Sequence, residues 1–87
     1  MTLEGLRQHL ALLAHLPGDT PVILAKDAEG NGFSPLIEAE HAMYLADTTY
    51  SGEHYLTDEA RAAEEDPDDY SAAPVDAVHA VFLWPVN

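Results

Sequence analysis

Residues 21–38, PVILAKDAEGNGFSPLIE, decide how the rest of the chain is read. Counting from Asp27, the segment places Asp27, Glu29, Asn31, Gly32 and Glu38 at positions 1, 3, 5, 6 and 12 of a calcium loop of the D-x-[DN]-x-[DN]-G-x5-E type. If a helix ran into that loop, the fold would be helix–loop–helix. If a strand does, the same residues make a turn between strands. The approach, Pro21-Val22-Ile23-Leu24-Ala25, is a short apolar run with two β-branched residues, bounded by turn formers, and it reads as a strand. Within the loop, position 3 is Glu29, position 8 is Ser34 where paired calcium loops carry an apolar residue, and position 9 is Pro35. The segment therefore reads as a strand-to-strand connection. Gly30 and Gly32 accept positive φ there, and Asp27 and Asn31 make local hydrogen bonds. The alternative is a structural Ca²⁺ held by Asp27, Glu29, Asn31 and Glu38 in a non-helical loop.

Upstream of this segment, Thr2 is placed to cap a helix, Glu4 sits in its first turn, and Leu3, Leu6, Leu10 and Leu13 recur at helical spacing until Pro17-Gly18 stops it. Downstream, residues 39–46 (AEHAMYLA) alternate as a strand, with His41, Met43 and Leu45 on one face and Glu40, Ala42 and Tyr44 on the other. Residues 77–84 (AVHAVFLW) are the clearest strand. Val78, Ala80, Phe82 and Trp84 line one face, and Val81 and Leu83 are apolar on the other. A strand apolar on both faces predicts an internal position. The fold class expected is α+β, with the N-terminal helix packed on a small, mainly antiparallel sheet of three or four strands.

The 87 residues form a single domain able to hold one modest core, since a chain of this size buries about 60–65% of its unfolded surface. There is no cysteine, so disulfides, thiolate metal sites and thiol nucleophiles are all excluded, and the composition suits a reducing, cytoplasmic setting. No apolar run approaches the roughly 20 residues of a membrane span. Sixteen Asp and Glu face three basic residues, giving a net charge of −13. That is well beyond the magnitude of about 2–8 that keeps a small domain in solution. Such a surface repels nucleic acid and anionic membrane, and it steers toward basic proteins or cations.

The charge is concentrated between Asp47 and Asp76, where ten acids accompany only Arg61. Thirty residues without structure are unusual inside a small domain, so this segment is expected to hold a short strand near Glu53–Leu56 and one or two helical turns in DEARAAEED before Pro67. Glu53, Asp58, Glu59, Glu64, Glu65, Asp66, Asp68 and Asp69 are the expected protein-binding residues, with a basic protein surface as partner. Tyr44, Tyr50, Tyr55, Tyr70 and Phe33 are interleaved with acids. Those that are exposed would add aromatic contact area, the rest completing the core.

Enzyme motifs are missing. The sequence has no G-x-x-x-x-G-K-[ST], G-x-S-x-G or H-E-x-x-H, and its only lysine is Lys26. G-N-G-F-S-P begins like a dinucleotide fingerprint but puts Pro35 in the place of the third glycine. The five histidines, His9, His15, His41, His54 and His79, never pair at i, i+4 or as H-x-H. In Glu40-His41 and Glu53-His54 the neighbours point to opposite faces of a strand, so neither dipeptide is a dyad by itself. The expectation is a non-catalytic protein without cofactor. A further alternative is a homodimer sealed around Val81 and Leu83, with Trp84 at its margin.

Three segments, KDAEGNGFSPL (26–36), SGEHY (51–55) and the closing AVFLWPVN (80–87), together resemble small uncharacterised proteins of bacteriophages and their actinobacterial hosts. The likeness covers most of the chain from Thr20 onward. It implies a phage accessory protein that binds and diverts a host protein, and it brings no catalytic residues. Size and charge alone are also similar to those of acidic DNA-mimic inhibitors, although none of their motifs is present.

Overall fold

The computed structural model describes all residues from Met1 to Asn87. The elements in chain order are α1 (Leu3–Ala11), β1 (Ile23–Ala25), β2 (Phe33–Ala46), β3 (Gly52–Tyr55), α2 (Asp58–Ala62), a 3-10 turn (Pro67–Asp69) and β4 (Val78–Pro85). The class is α+β, with a mainly antiparallel sheet of four strands centred on β2. No helix is long and apolar enough to cross a membrane. The chain divides into two compact units: Met1–Glu38 with Leu83–Asn87, and Ala39–Phe82. The long strands β2 and β4 run through both.

In the first unit, Thr2 Oγ1 accepts the Gly5 N–H at 3.0 Å and caps α1 as its residue type predicts. Regular helix ends at Ala11, short of the Pro17-Gly18 stop. Beyond it the amides of Leu12, Leu13, Ala14 and Leu16 each bond the carbonyl three residues back, a tightening common where a helix runs out. The helix has no buried residue, and Leu3, Leu10, Leu12, Leu13 and Leu16 are all exposed. The leucine stripe thus forms the predicted helix and is partly covered, Leu6 half-buried and Leu3 and Leu10 about half exposed.

β1 pairs antiparallel with the start of β2 in the register Ile23↔Pro35, Leu24↔Ser34, Ala25↔Phe33. The segment 33–35, expected to be loop, is therefore strand. Pro35 is tolerated because the neighbouring Leu36 N–H carries the ladder to Val22 O, at 2.9 Å, while Pro35 O accepts from Val86 N at 2.8 Å. Buried Ser34 ties down the terminus, its Oγ accepting the Asn87 N–H at 3.1 Å.

In the second unit, β3 pairs antiparallel with β2 through Met43↔Tyr55, Tyr44↔His54, Leu45↔Glu53 and Ala46↔Gly52. Thr48 and Ser51 close the connecting turn by a 2.7 Å hydrogen bond between their hydroxyls. Thr57, nearly buried, caps α2 by accepting the Ala60 N–H at 3.1 Å. Both predicted faces of residues 39–46 are partly covered, Met43 and Leu45 being half-buried on the face of exposed His41. Ala42 is fully buried while Glu40 and Tyr44 are half-buried beside it, and His41 faces solvent. Two aromatic edges cover Ala42's side of the sheet, Tyr44–Phe82 with centroids 6.2 Å apart and His54–Phe82 at 4.6 Å. The C-terminal strand is not internal as its two apolar faces predicted: β4 pairs with β2 alone.

Candidate functional site

The calcium-like loop is a turn closed on itself. Asp27 Oδ1 accepts the backbone N–H groups of Glu29 at 2.9 Å and Asn31 at 3.0 Å, and Asn31 Nδ2 donates to Glu29 Oε2 at 3.3 Å. Gly30 takes φ +72°, where a side chain would be strained, and the Lys26 N–H reaches Gly32 O at 2.9 Å. Gly30 alone needs positive φ; Gly32 instead lies against the aliphatic stem of Lys26. The backbone N–H of Asn31, followed by that of Glu29, holds the Asp27 carboxyl below the usual carboxylate range. Glu38 lies within β2, and no three His, Asp or Glu side chains converge as a metal-holding group anywhere in the chain. Of the four residues named for calcium, Asp27, Glu29 and Asn31 are joined by the hydrogen bonds of the turn and Glu38 lies on β2.

The acidic residues behave differently. Glu53, Asp58, Glu59, Glu64, Glu65, Asp66, Asp68 and Asp69 lie on the surface, on one short strand and the helical turns that follow it. β3 carries Glu53, α2 carries Asp58 and Glu59, the following turns carry Glu64, Glu65 and Asp66, and the 3-10 turn carries Asp68 and Asp69. Their one basic neighbour in the segment is occupied. Arg61 Nε donates to Tyr70 O at 2.7 Å, and its Nη2 lies 3.9 Å from Asp68 Oδ1. The aromatics divide, with Tyr50 and Tyr70 exposed among the acids and Tyr44 and Tyr55 half-buried. A depression of about 310 Å³ is lined by His54, Tyr55, Leu56, Asp69, Tyr70 and Ser71. Its lining sets one carboxylate, Asp69, beside two tyrosines and the His54 imidazole.

Two further pairs escaped the linear reading because their members come from different strands. The carboxylate of Glu40 on β2 accepts from His54 Nε2 on β3 at 2.9 Å, with both side chains largely covered and the imidazole edge-on to Phe82. On the opposite face of β2, His41 Nε2 lies 2.9 Å from His79 Nδ1 on β4. The dipeptides Glu40-His41 and Glu53-His54 are not dyads, in keeping with strand alternation. Side chains from different strands meet instead, Glu40 with His54 and His41 with His79, although His54 stands opposite Tyr44 in the β2–β3 register. The one signal available in the sequence was that each histidine sits at a regular strand position.

No family model matches the chain, and no curated protein or solved structure matches it either.

Proposed function

We propose that this chain is a non-catalytic interaction protein whose acidic segment engages a basic protein surface, such as the nucleic-acid groove of an enzyme. The observation that carries this reading is the surface position of the eight acids from Glu53 to Asp69 beside a single guanidinium already committed to Tyr70 and Asp68. Uncompensated like charge costs stability, and a cationic partner relieves that cost. Exposed Tyr50 and Tyr70 add the rigid aromatic area that protein interfaces favour. The resemblance to phage accessory proteins supports the same reading, and the cysteine-free composition suits a cytoplasmic setting.

The test is retrieval of partners from host lysate at low ionic strength, followed by titration of the retained protein against wild type and a variant with Glu64→Gln, Glu65→Gln, Asp68→Asn and Asp69→Asn. The expected partner is basic, and the variant binds it about tenfold or more weakly, with added salt weakening wild type in the same direction. A partner that is not basic, or an unaltered affinity in the variant, overturns the reading.

A second reading, self-association through β4, is favoured by one observation. Val81 and Leu83 remain 44% and 40% exposed on a strand that pairs only with β2. An open strand edge with apolar side chains is a template for a second copy. Because the chains repel, high salt strengthens this association while weakening the acidic one. Sedimentation across a salt series separates the two readings, and a monomer at high protein concentration and high salt excludes the dimer.

A further inference from the structure

We infer, resting on the self-association reading above, that the sheet face of the first unit docks a second copy of this chain face to face. Ile23 stands opposite Pro35 in the register of β1 with β2, so the two share a side, and alternation along β2 adds Phe33 and Ile37. His41 meets His79, which places the odd-numbered residues of β4 on that side as well, Leu83 and Pro85 among them. Burial along β2 agrees, with Ser34 buried and Leu36 half-buried on the reverse while Phe33, Pro35 and Ile37 are exposed. Ile23, Phe33, Ile37 and Leu83 are 50%, 65%, 68% and 40% exposed. None of these six residues is charged in a chain of sixteen acids, whereas the reverse of β2 carries Glu38 and Glu40.

The surface area indicates the occupant. A folded monomer of 9.4 kDa exposes about 5,000 Å², and two separate bodies of half that mass expose about 6,000 Å² between them. This chain exposes 7044 Å², about 1,000 Å² beyond even the larger figure. A standard interface takes about 800 Å² from each partner, so the surplus suffices for one. Of the eighteen large hydrophobic side chains left exposed, thirteen belong to the first unit. A basic partner finds no counter-charge on this face, whereas a second copy brings the same uncharged strands to it. Two such faces form an isologous contact, stacking at about 10 Å with Phe33 and Ile37 of each copy interdigitating. Five acids against Arg7 and Lys26 leave the first unit at net −3, so two copies repel least there.

The experiment is sedimentation of the full chain in high salt over a concentration series, with amide exchange followed from monomer to dimer. Wild type is expected to dimerise. Phe33→Ser with Ile37→Ser, both at exposed positions and neutral in charge, should raise the dissociation constant about tenfold or more. Val75→Ser, at a position 99% exposed and outside the strands, should leave it unchanged. Face packing leaves the β4 amides that do not bond β2 exchanging as fast in the dimer as in the monomer, whereas pairing of β4 edges slows them. The exchange readout uses wild type alone, so it stands even if a substitution unfolds the chain. A monomer throughout removes the self-association reading and this interface with it. A dimer undiminished in the Phe33→Ser/Ile37→Ser variant, or one that slows those β4 amides, keeps that reading and overturns the face-to-face contact.

Discussion

The two compact units handle surface in opposite ways. Met1–Glu38 with Leu83–Asn87 holds five acids against Arg7 and Lys26, a net −3, whereas Ala39–Phe82 holds eleven against Arg61, a net −10. The first leaves Leu3, Leu10, Leu13, Ile23, Phe33 and Ile37 exposed, the second Tyr50, Val75, Val78 and Val81, and neither buries a large apolar side chain completely. The second holds the fully buried Ala42 and a cluster in which Tyr44 and His54 stand edge-on to Phe82. Stability is therefore expected to reside mainly in the acidic unit, whose strands also display its charges. The less charged unit carries the exposed leucines. Acids are tolerated at high density because they sit on turns and short helices around a small sheet core rather than within it.

The sharpest way to break this comparison is Gly52→Ala. A methyl group there would lie 2.5 Å from Leu45 O and from the Tyr44 hydroxyl, so β3 must shift away from β2. We expect a cost of about 3 kcal/mol in denaturant unfolding, and the hydrogen bond from His54 to Glu40 should break with the shift. Next comes Phe82→Ala, which removes the ring against which both His54 and Tyr44 stand edge-on. For this half-buried position the expected cost is about 2 kcal/mol, read from the thermal midpoint. Glu40→Gln retains the shape but weakens the acceptor for His54 Nε2, and chemical denaturation should show a destabilisation of about 1 kcal/mol.

In the near-neutral unit the same probes should barely register. Leu10→Ser in α1 with Leu13→Ser in the turns that follow it, both about half exposed, is expected to change unfolding free energy by no more than about 0.5 kcal/mol. A destabilisation like that of Phe82→Ala would show that something covers the helix. The smallest effect belongs to the Asp27 turn. Its carboxyl lies below the usual range because the Asn31 and then the Glu29 N–H groups favour the charged form. Its contribution is therefore present above the usual carboxylate range and is lost as pH falls through the lowered folded value. Amide exchange at Asn31 and Glu29 should quicken over that acid interval in wild type and be fast at all pH in Asp27→Ala.

Much of the fold was legible in local pattern. Thr2 and the leucine spacing specified α1, β-branched Val22 and Ile23 marked the strand into the loop, and the period-two alternation of 39–46 and 77–84 specified two strands together with their faces. The acidic segment's strand and helical turn were readable from its length and from the stop at Pro67. Pro35 misled, because a residue that breaks a central ladder is acceptable where the adjacent Leu36 amide supplies the bond. The apolar faces of β4 misled in a different way, since hydrophobicity states that a strand wants cover but not whether the fold provides it.

The sequence by itself determined element type, charge and its crowding between Asp47 and Asp76, and the turn character of Asp27–Gly32, because each depends on neighbours within a few residues. Only the tertiary structure decided that Glu40 meets His54 and that His41 meets His79. Strand alternation sends residues 40 and 41 to opposite faces, but the partner each finds there lies on another strand, across separations of 14 and 38 residues in the chain. Which strands meet across such separations is decided by how the sheet assembles, a cooperative choice that no local window contains.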